Sequence, residues 1–202
     1  MKKTYLMMLA LASMLCLVFS SCSSDDDDDS STAETLSTKI GNAVGTYKET
    51  DVMYLLDSDG KLNDIDAVMK SYNSDAETIN DGAVSTVYVT KEGTSNLLIT
   101  DSEDSSDILR CTKLANTSNG FTFDISSQTV DGVTVEGYNG WSLTGVKYNG
   151  GYLTASKTLC YYQKVSIADW ASKTDDADVK TFLTQLEDSY SALVVKSTLV
   201  KK

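Results

Sequence analysis

Between Val84 and Lys164 apolar and polar residues alternate in short runs, and this period of two limits the fold more than any other feature of the chain. The segments Val84–Thr90, Leu97–Asp101, Ile108–Leu114, Phe121–Ser126, Val130–Tyr138, Trp141–Lys147, Tyr152–Ser156 and Leu159–Lys164 each read as a strand. Phe121, Phe123 and Ile125 share one face with Thr122 and Asp124 on the other, as in a sheet with one buried side. Asn119-Gly120, Asp131-Gly132, Asn139-Gly140 and Asn149-Gly150 favour the positive φ values of tight hairpins, so consecutive strands should pair antiparallel. With no proline in the chain, turns must rest on Gly, Asn and Asp. The expected class is mainly β (α+β): an antiparallel meander of about eight strands forming a barrel or a strongly curved sheet.

The flanks add a first strand and several helices. Val44, Thr46, Tyr47, Val52, Tyr54 and Leu56 predict a strand over Val44–Leu56, interrupted around Glu49 to Asp51. Asn63 as N-cap, with Asp66 three residues on, predicts a short helix over Asp64–Tyr72. Ser166 and Asp169 make a similar capping pattern ahead of Trp170. Val179, Phe182, Leu183, Leu186, Tyr190, Leu193 and Val194 then recur at intervals of three and four, predicting a C-terminal amphipathic helix packed on the sheet. Asp175, Asp176 and Asp178 would face its positive end and Lys196 its negative end.

Ahead of these elements, Lys2 and Lys3 precede an apolar run from Tyr5 to Phe19 that closes on Ser20 and Ser21. The run is shorter than the roughly 20 residues a membrane span needs, and residues 1–21 read as a signal peptide. Cys22 after two serines resembles the lipobox cysteine of bacterial lipoproteins, and that resemblance implies acylation at Cys22. Ser23, Ser24 and the aspartates Asp25, Asp26, Asp27, Asp28 and Asp29 resemble the acidic export signal of Bacteroidota surface lipoproteins. It implies an outer-membrane, cell-surface location, with residues 22–39 as an acidic tether and residues 40–202 as a single domain. Two or more acyl chains suffice for stable anchoring.

Composition removes several functions. A formal charge of −12 disfavours nucleic acid as a partner. The absence of histidine removes the commonest general base and every Ser-His-Asp or Cys-His scheme, and a non-enzymatic protein is expected. With Cys16 in the signal and Cys22 acylated, Cys111 and Cys160 are the candidate disulfide, or else two buried thiols on separate strands.

Asp57, Asp59, Gly60, Asn63 and Asp66 resemble positions three, five, six, nine and twelve of an EF-hand or dockerin loop, which would make calcium the one candidate cofactor; Leu55 stands where the first ligand belongs. A turn closing a strand and capping a helix accounts for the same residues. Gly45-Thr46-Tyr47 at the first strand, followed by the meander, resembles the start of lipocalin-like (calycin-type) domains in Bacteroidota surface lipoproteins, with Tyr47 in place of the lipocalin tryptophan. The resemblance implies a barrel taking a small apolar or amphipathic ligand, with Phe121, Phe123, Tyr138, Trp141 and Tyr152 as candidate contacts. The alternative is a glycan-binding or adhesion module that uses aromatics exposed on the sheet.

Overall fold

The computed structural model describes residues 34–143 and 146–202. Cys22 and the serines and aspartates from Ser23 to Asp29 lie outside them. Thirteen strands and four helices follow one another among the described residues: α1 (Leu36–Ala43), β1 (Gly45–Asp57), β2 (Leu62–Asp64), α2 (Ile65–Tyr72), β3 (Val84–Glu92), β4 (Asn96–Asp101), β5 (Ile108–Thr117), β6 (Gly120–Ile125), β7 (Gln128–Val130), β8 (Val133–Gly137), β9 (Trp141–Ser142), β10 (Lys147–Tyr148), β11 (Gly150–Leu153), β12 (Thr158–Ser166), α3 (Ile167–Lys173), α4 (Ala177–Glu187) and β13 (Tyr190–Lys201).

Eight of the strands close an antiparallel barrel in the order β1, β3, β4, β5, β6, β11, β12, β13 and back to β1. Chain order and spatial order coincide, as the alternation predicts for a meander, and closure leaves the barrel wall without free edges. Strand β12 changes partner along its length. Thr158–Tyr161 pair with β11, whereas Gln163–Val165 pair with β8 of the β7–β8 hairpin. The wall therefore splays at that end.

Two apolar cores lie on the inward face of the long β1–β13–β12 ribbon. One fills the barrel with Tyr47, Phe121, Phe123, Tyr152, Leu97, Leu159 and their neighbours, and it includes Ile40 and Ala43 of α1. The other lies beyond the barrel end, where Met53, Leu55 and Leu193 are covered by Ile65 and Val68 of α2, Ile167 and Ala171 of α3, and Leu183 and Leu186 of α4. Each helix starts on an oxygen-bearing cap, Thr35, Asp64, Ser166 and Asp176 respectively, whose side chain accepts from a backbone N–H of the first turn.

The architecture departs from the sequence expectations at three places in particular. Tyr190, Leu193, Val194 and Lys196 belong to strand β13, not to a C-terminal helix, which ends at Glu187. The β-branched residues Val194, Val195, Thr198 and Val200 favour a strand, and pairing with β1 on one side and β12 on the other satisfies its backbone. The second correction concerns α1, whose first four residues, Leu36 to Lys39, fall within the stretch assigned to the tether. It plugs the barrel floor, where the Lys39 ammonium donates to the Thr117 carbonyl and Lys201 Nζ donates to the carbonyls of Asn42 and Val44 at 2.7 and 2.6 Å. Lys201 thereby caps the helix end that a cation favours.

The third correction concerns the Xaa-Gly dipeptides. Only Asp131-Gly132 takes positive φ at both residues (48° and 83°), in the β7–β8 hairpin. At Asn119-Gly120 and Asn149-Gly150 the glycine is needed for close approach. A Cβ on Gly120 would lie 1.7 Å from the Tyr152 carbonyl oxygen, and one on Gly150 would lie 2.2 Å from the Phe123 ring. Both positions sit on the β6–β11 pairing, where backbone and rings crowd together.

Candidate functional site

The inward face of β1 reads Tyr47, Glu49, Asp51, Met53, Leu55. Tyr47 belongs to the barrel core and Met53 and Leu55 to the capped core, so two carboxyl groups stand between the two apolar clusters. Register sets their surroundings. Ser85 of β3 and Leu199 of β13 pair with Glu49, Ser197 pairs with Asp51, and Tyr161 of β12 pairs with Ser197. The Tyr161 hydroxyl donates to Glu49 Oε1 at 2.6 Å, and Ser85 Oγ donates to Oε2 at 3.2 Å. Asp51 Oδ1 is out of contact with solvent and has no hydrogen-bond partner.

Among the described residues no ion pair balances this layer. The ion pairs of the described residues, Arg110–Glu92, Lys113–Asp124 and Lys164–Glu136, all lie elsewhere. Burial pushes Glu49 up to about 8, the nearby Asp51 charge adds to the rise, and the bonds from Tyr161 and Ser85 oppose it; Asp101 adds a smaller upward contribution. Burial also raises Asp51, to about 6, with Ser197 opposing. Tyr161 is held well above its ordinary range by burial and by both carboxylates. Just ahead of β5, burial raises Asp107, helped by Asp101 and Asp104. Burial and the neighbouring carboxyl thus both favour the protonated form of Glu49.

The sequence reading placed an interruption of the first strand at these two residues. The strand in fact runs unbroken from Gly45 to Asp57. The available signal was the alternation itself, which puts Glu49 and Asp51 on the same face as Tyr47, Met53 and Leu55.

The five candidate ligand contacts fall into two groups. Phe121, Phe123 and Tyr152 are buried inside the barrel, where Phe121 stacks on Tyr152 with centroids 5.2 Å apart and lies 6.3 Å from Phe123. With Tyr47 they fill the interior. Tyr138 and Trp141 lie outside the wall. The Tyr138 ring lies 6.4 Å from that of Tyr162 at an interplanar angle of 59°, and a Cβ on Gly151 would meet the Trp141 indole at 2.6 Å. The indole N–H is buried without a partner. Burial raises Tyr162 to about 12, helped by Cys160, Tyr54 and Tyr138. Tyr54, Tyr138 and Tyr162 thus form a half-buried aromatic patch on the outer wall. Two clefts lie at the surface, one of about 290 Å³ lined by Ile108, Arg110, Ser126, Ser127 and Gln128, the other of about 90 Å³ beside Ser58 and Glu187–Ser191.

Cys111 and Cys160 are both buried and carry free thiols. Cys111 belongs to the barrel core, whereas Cys160 alternates with the inward-facing Leu159 and Tyr161 and approaches Thr198 Oγ1 at 4.0 Å on the opposite side of the wall. Burial raises both thiols, Cys160 to about 11.

Among the calcium candidates, Asp57, Asn63 and Asp66 use their side chains in hydrogen bonds within the chain. Asp57 Oδ1 accepts from the backbone N–H groups of Asp59 and Lys61, and its Oδ2 accepts from the Asn63 amide, which holds Asp57 below its ordinary value. Asp66 instead accepts from the backbone of Ile79 and Asn80, and Asp64, not Asn63, caps α2. Among the described residues no three Cys, Asp or Glu side chains converge as a metal site requires. Comparison of the chain with protein-family models, curated proteins and solved structures finds no match in any of the three.

Proposed function

We propose that the chain is a non-enzymatic, lipid-anchored protein of the bacterial outer surface, whose barrel recognises glycan with its outer wall. The observation that carries this reading is the filled interior. Tyr47, Phe121, Phe123 and Tyr152 are each at most 1% exposed and occupy the space in which a lipocalin-like barrel would hold an apolar ligand. Binding then falls to the surface. The outer wall offers the Tyr138 and Tyr162 rings in a tilted pair, with the Lys164–Glu136 ion pair nearby on the paired β12 and β8 strands. One ring can lie against the apolar face of a sugar while the other bounds its edge, and the charged pair offers donors and an acceptor to its hydroxyls. The lipobox-like Cys22 and the acidic residues Asp25 to Asp29 support the location, and a protein at the cell surface meets glycans.

The test is binding of the intact chain, purified from its host in detergent, to an array of bacterial and host glycans, with Tyr138→Ala and Tyr162→Ala alongside. Binding that falls at least about tenfold in either variant is expected, in line with the loss of one ring contact. Native mass spectrometry of the same material separates the interior reading. A reproducible apolar adduct, with no glycan binding, would overturn the outer-wall proposal in favour of a ligand inside the barrel.

A further inference from the structure

We propose that the Glu49–Asp51 layer is a pH-operated latch between the barrel and its helical cap, closed while the pair carries a proton and loosened when both carboxyls are charged. The layer is the join between the two apolar cores: Tyr47, Leu159 and Leu199 lie on one side, Met53, Leu55 and Leu193 on the other. The side-chain ties at this level converge on Glu49, from Tyr161 of β12 and Ser85 of β3.

Among the described residues, every group that bears on the pair is acidic or neutral. Asp51 comes from β1 itself, Ser85 from β3, Asp101 from β4, Tyr161 from β12 and Ser197 from β13, with Asp107, just ahead of β5, adjoining Asp101. A proton on Glu49 removes one buried charge and leaves its oxygens able to accept from Tyr161 and Ser85. Losing that proton puts two like charges in a dry layer that no lysine or arginine reaches, and such charges are tolerated only if the layer admits water. Opening the seam lets water in.

The sign follows from proton counting. Both carboxyls keep protons in the folded chain that the unfolded chain has already released, so the unfolded state binds fewer protons and stability falls as pH rises. The contribution is complete in acid, declines from the ordinary carboxylate range upward, and is gone once pH has passed about 8, where Glu49 ionises in the fold. Each retained proton steepens the unfolding constant by up to tenfold per pH unit.

The experiment is denaturant unfolding of the intact chain from about pH 4 to about pH 9, a range bracketing free and buried carboxyls, with Glu49→Gln as the uncharged isostere. The unfolding constant of the wild type is expected to rise by roughly a hundredfold or more, and Glu49→Gln to remove most of that rise. Trp170 on α3 reports the cap locally in a Trp141→Phe background, where its acrylamide quenching should grow with pH before global unfolding. If Glu49→Gln does not fold, infrared spectra of the wild type decide: a carboxylic-acid C=O band persisting near neutral pH and vanishing above about pH 8 is expected. A flat stability profile, an equal rise in the variant, pH-independent Trp170 quenching or absence of that band would each overturn the latch.

Discussion

Replacing Phe121 by alanine tests how full the barrel is. Phe121 is completely buried and pairs across strands with Tyr152, on which its ring stacks at 5.2 Å. The change removes a whole ring from a site whose walls belong to a closed sheet, so little collapse can compensate. A residual void on the order of 100 Å³ costs about 2.4 kcal/mol at roughly 24 cal/mol per Å³. Lost transfer energy and the ring contact, itself about 0.5–1.5 kcal/mol, bring the expected destabilisation to the upper part of the ~3–5 kcal/mol range for buried Phe→Ala changes. Urea unfolding of wild type and variant at one pH measures it, with an unchanged denaturant slope if the change acts on the folded state. The void would also be dry and apolar, so benzene should stabilise the variant and leave the wild type unaffected. A cost below about 1.5 kcal/mol, together with stabilisation of the wild type by benzene, would refute the packed interior and restore a ligand-holding barrel.

Two further changes probe other levels of the molecule. Gly120→Ala drives a methyl group into the Tyr152 carbonyl, and its loss of about 2–4 kcal/mol in thermal unfolding should exceed that of Gly132→Ala, where a positive φ alone costs about 1 kcal/mol. Cys22→Ala should move the protein expressed in its host from the detergent phase to the aqueous phase on Triton X-114 partition, and unchanged partition would remove the lipid anchor.

Much of the barrel was legible because a strand with one buried face writes its period into the sequence. Six of the eight runs from Val84 to Lys164 form barrel strands, whereas Val130–Tyr138 folds back at Asp131-Gly132 and Trp141–Lys147 holds, among its described residues, only the short β9 and the start of β10; Ser166 and the acidic turn before α4 marked helix starts. What the sequence hid was decided by distance. Tyr190–Lys201 continues a helical spacing by coincidence, and only its neighbours β1 and β12, far away in the chain, make it a strand. Gly120 and Gly150 look like turn residues until the opposing backbone and ring are in view. The α1 plug had no signal beyond a short Leu36–Ala43 segment, whose burial depends on Thr117 and Lys201. The Glu49–Asp51 layer was the most readable omission, since two acids on an otherwise apolar face are costly unless something compensates for their charge.

Strand β13 also governs when the protein can fold. It lies between β1 and β12 and pairs with both along most of its length. Until residues 190–201 have been synthesised, β1 and β12 are open edges and the barrel cannot close. Its contacts with β1 span well over a hundred residues, the kind of pairing that makes nucleation slow. If the chain is exported as proposed, this order of events favours it. While its late strand is still missing it stays threadable, and once that strand has arrived, closure ties the beginning and end of the fold together at the α1 floor, where Lys201 meets Asn42 and Val44.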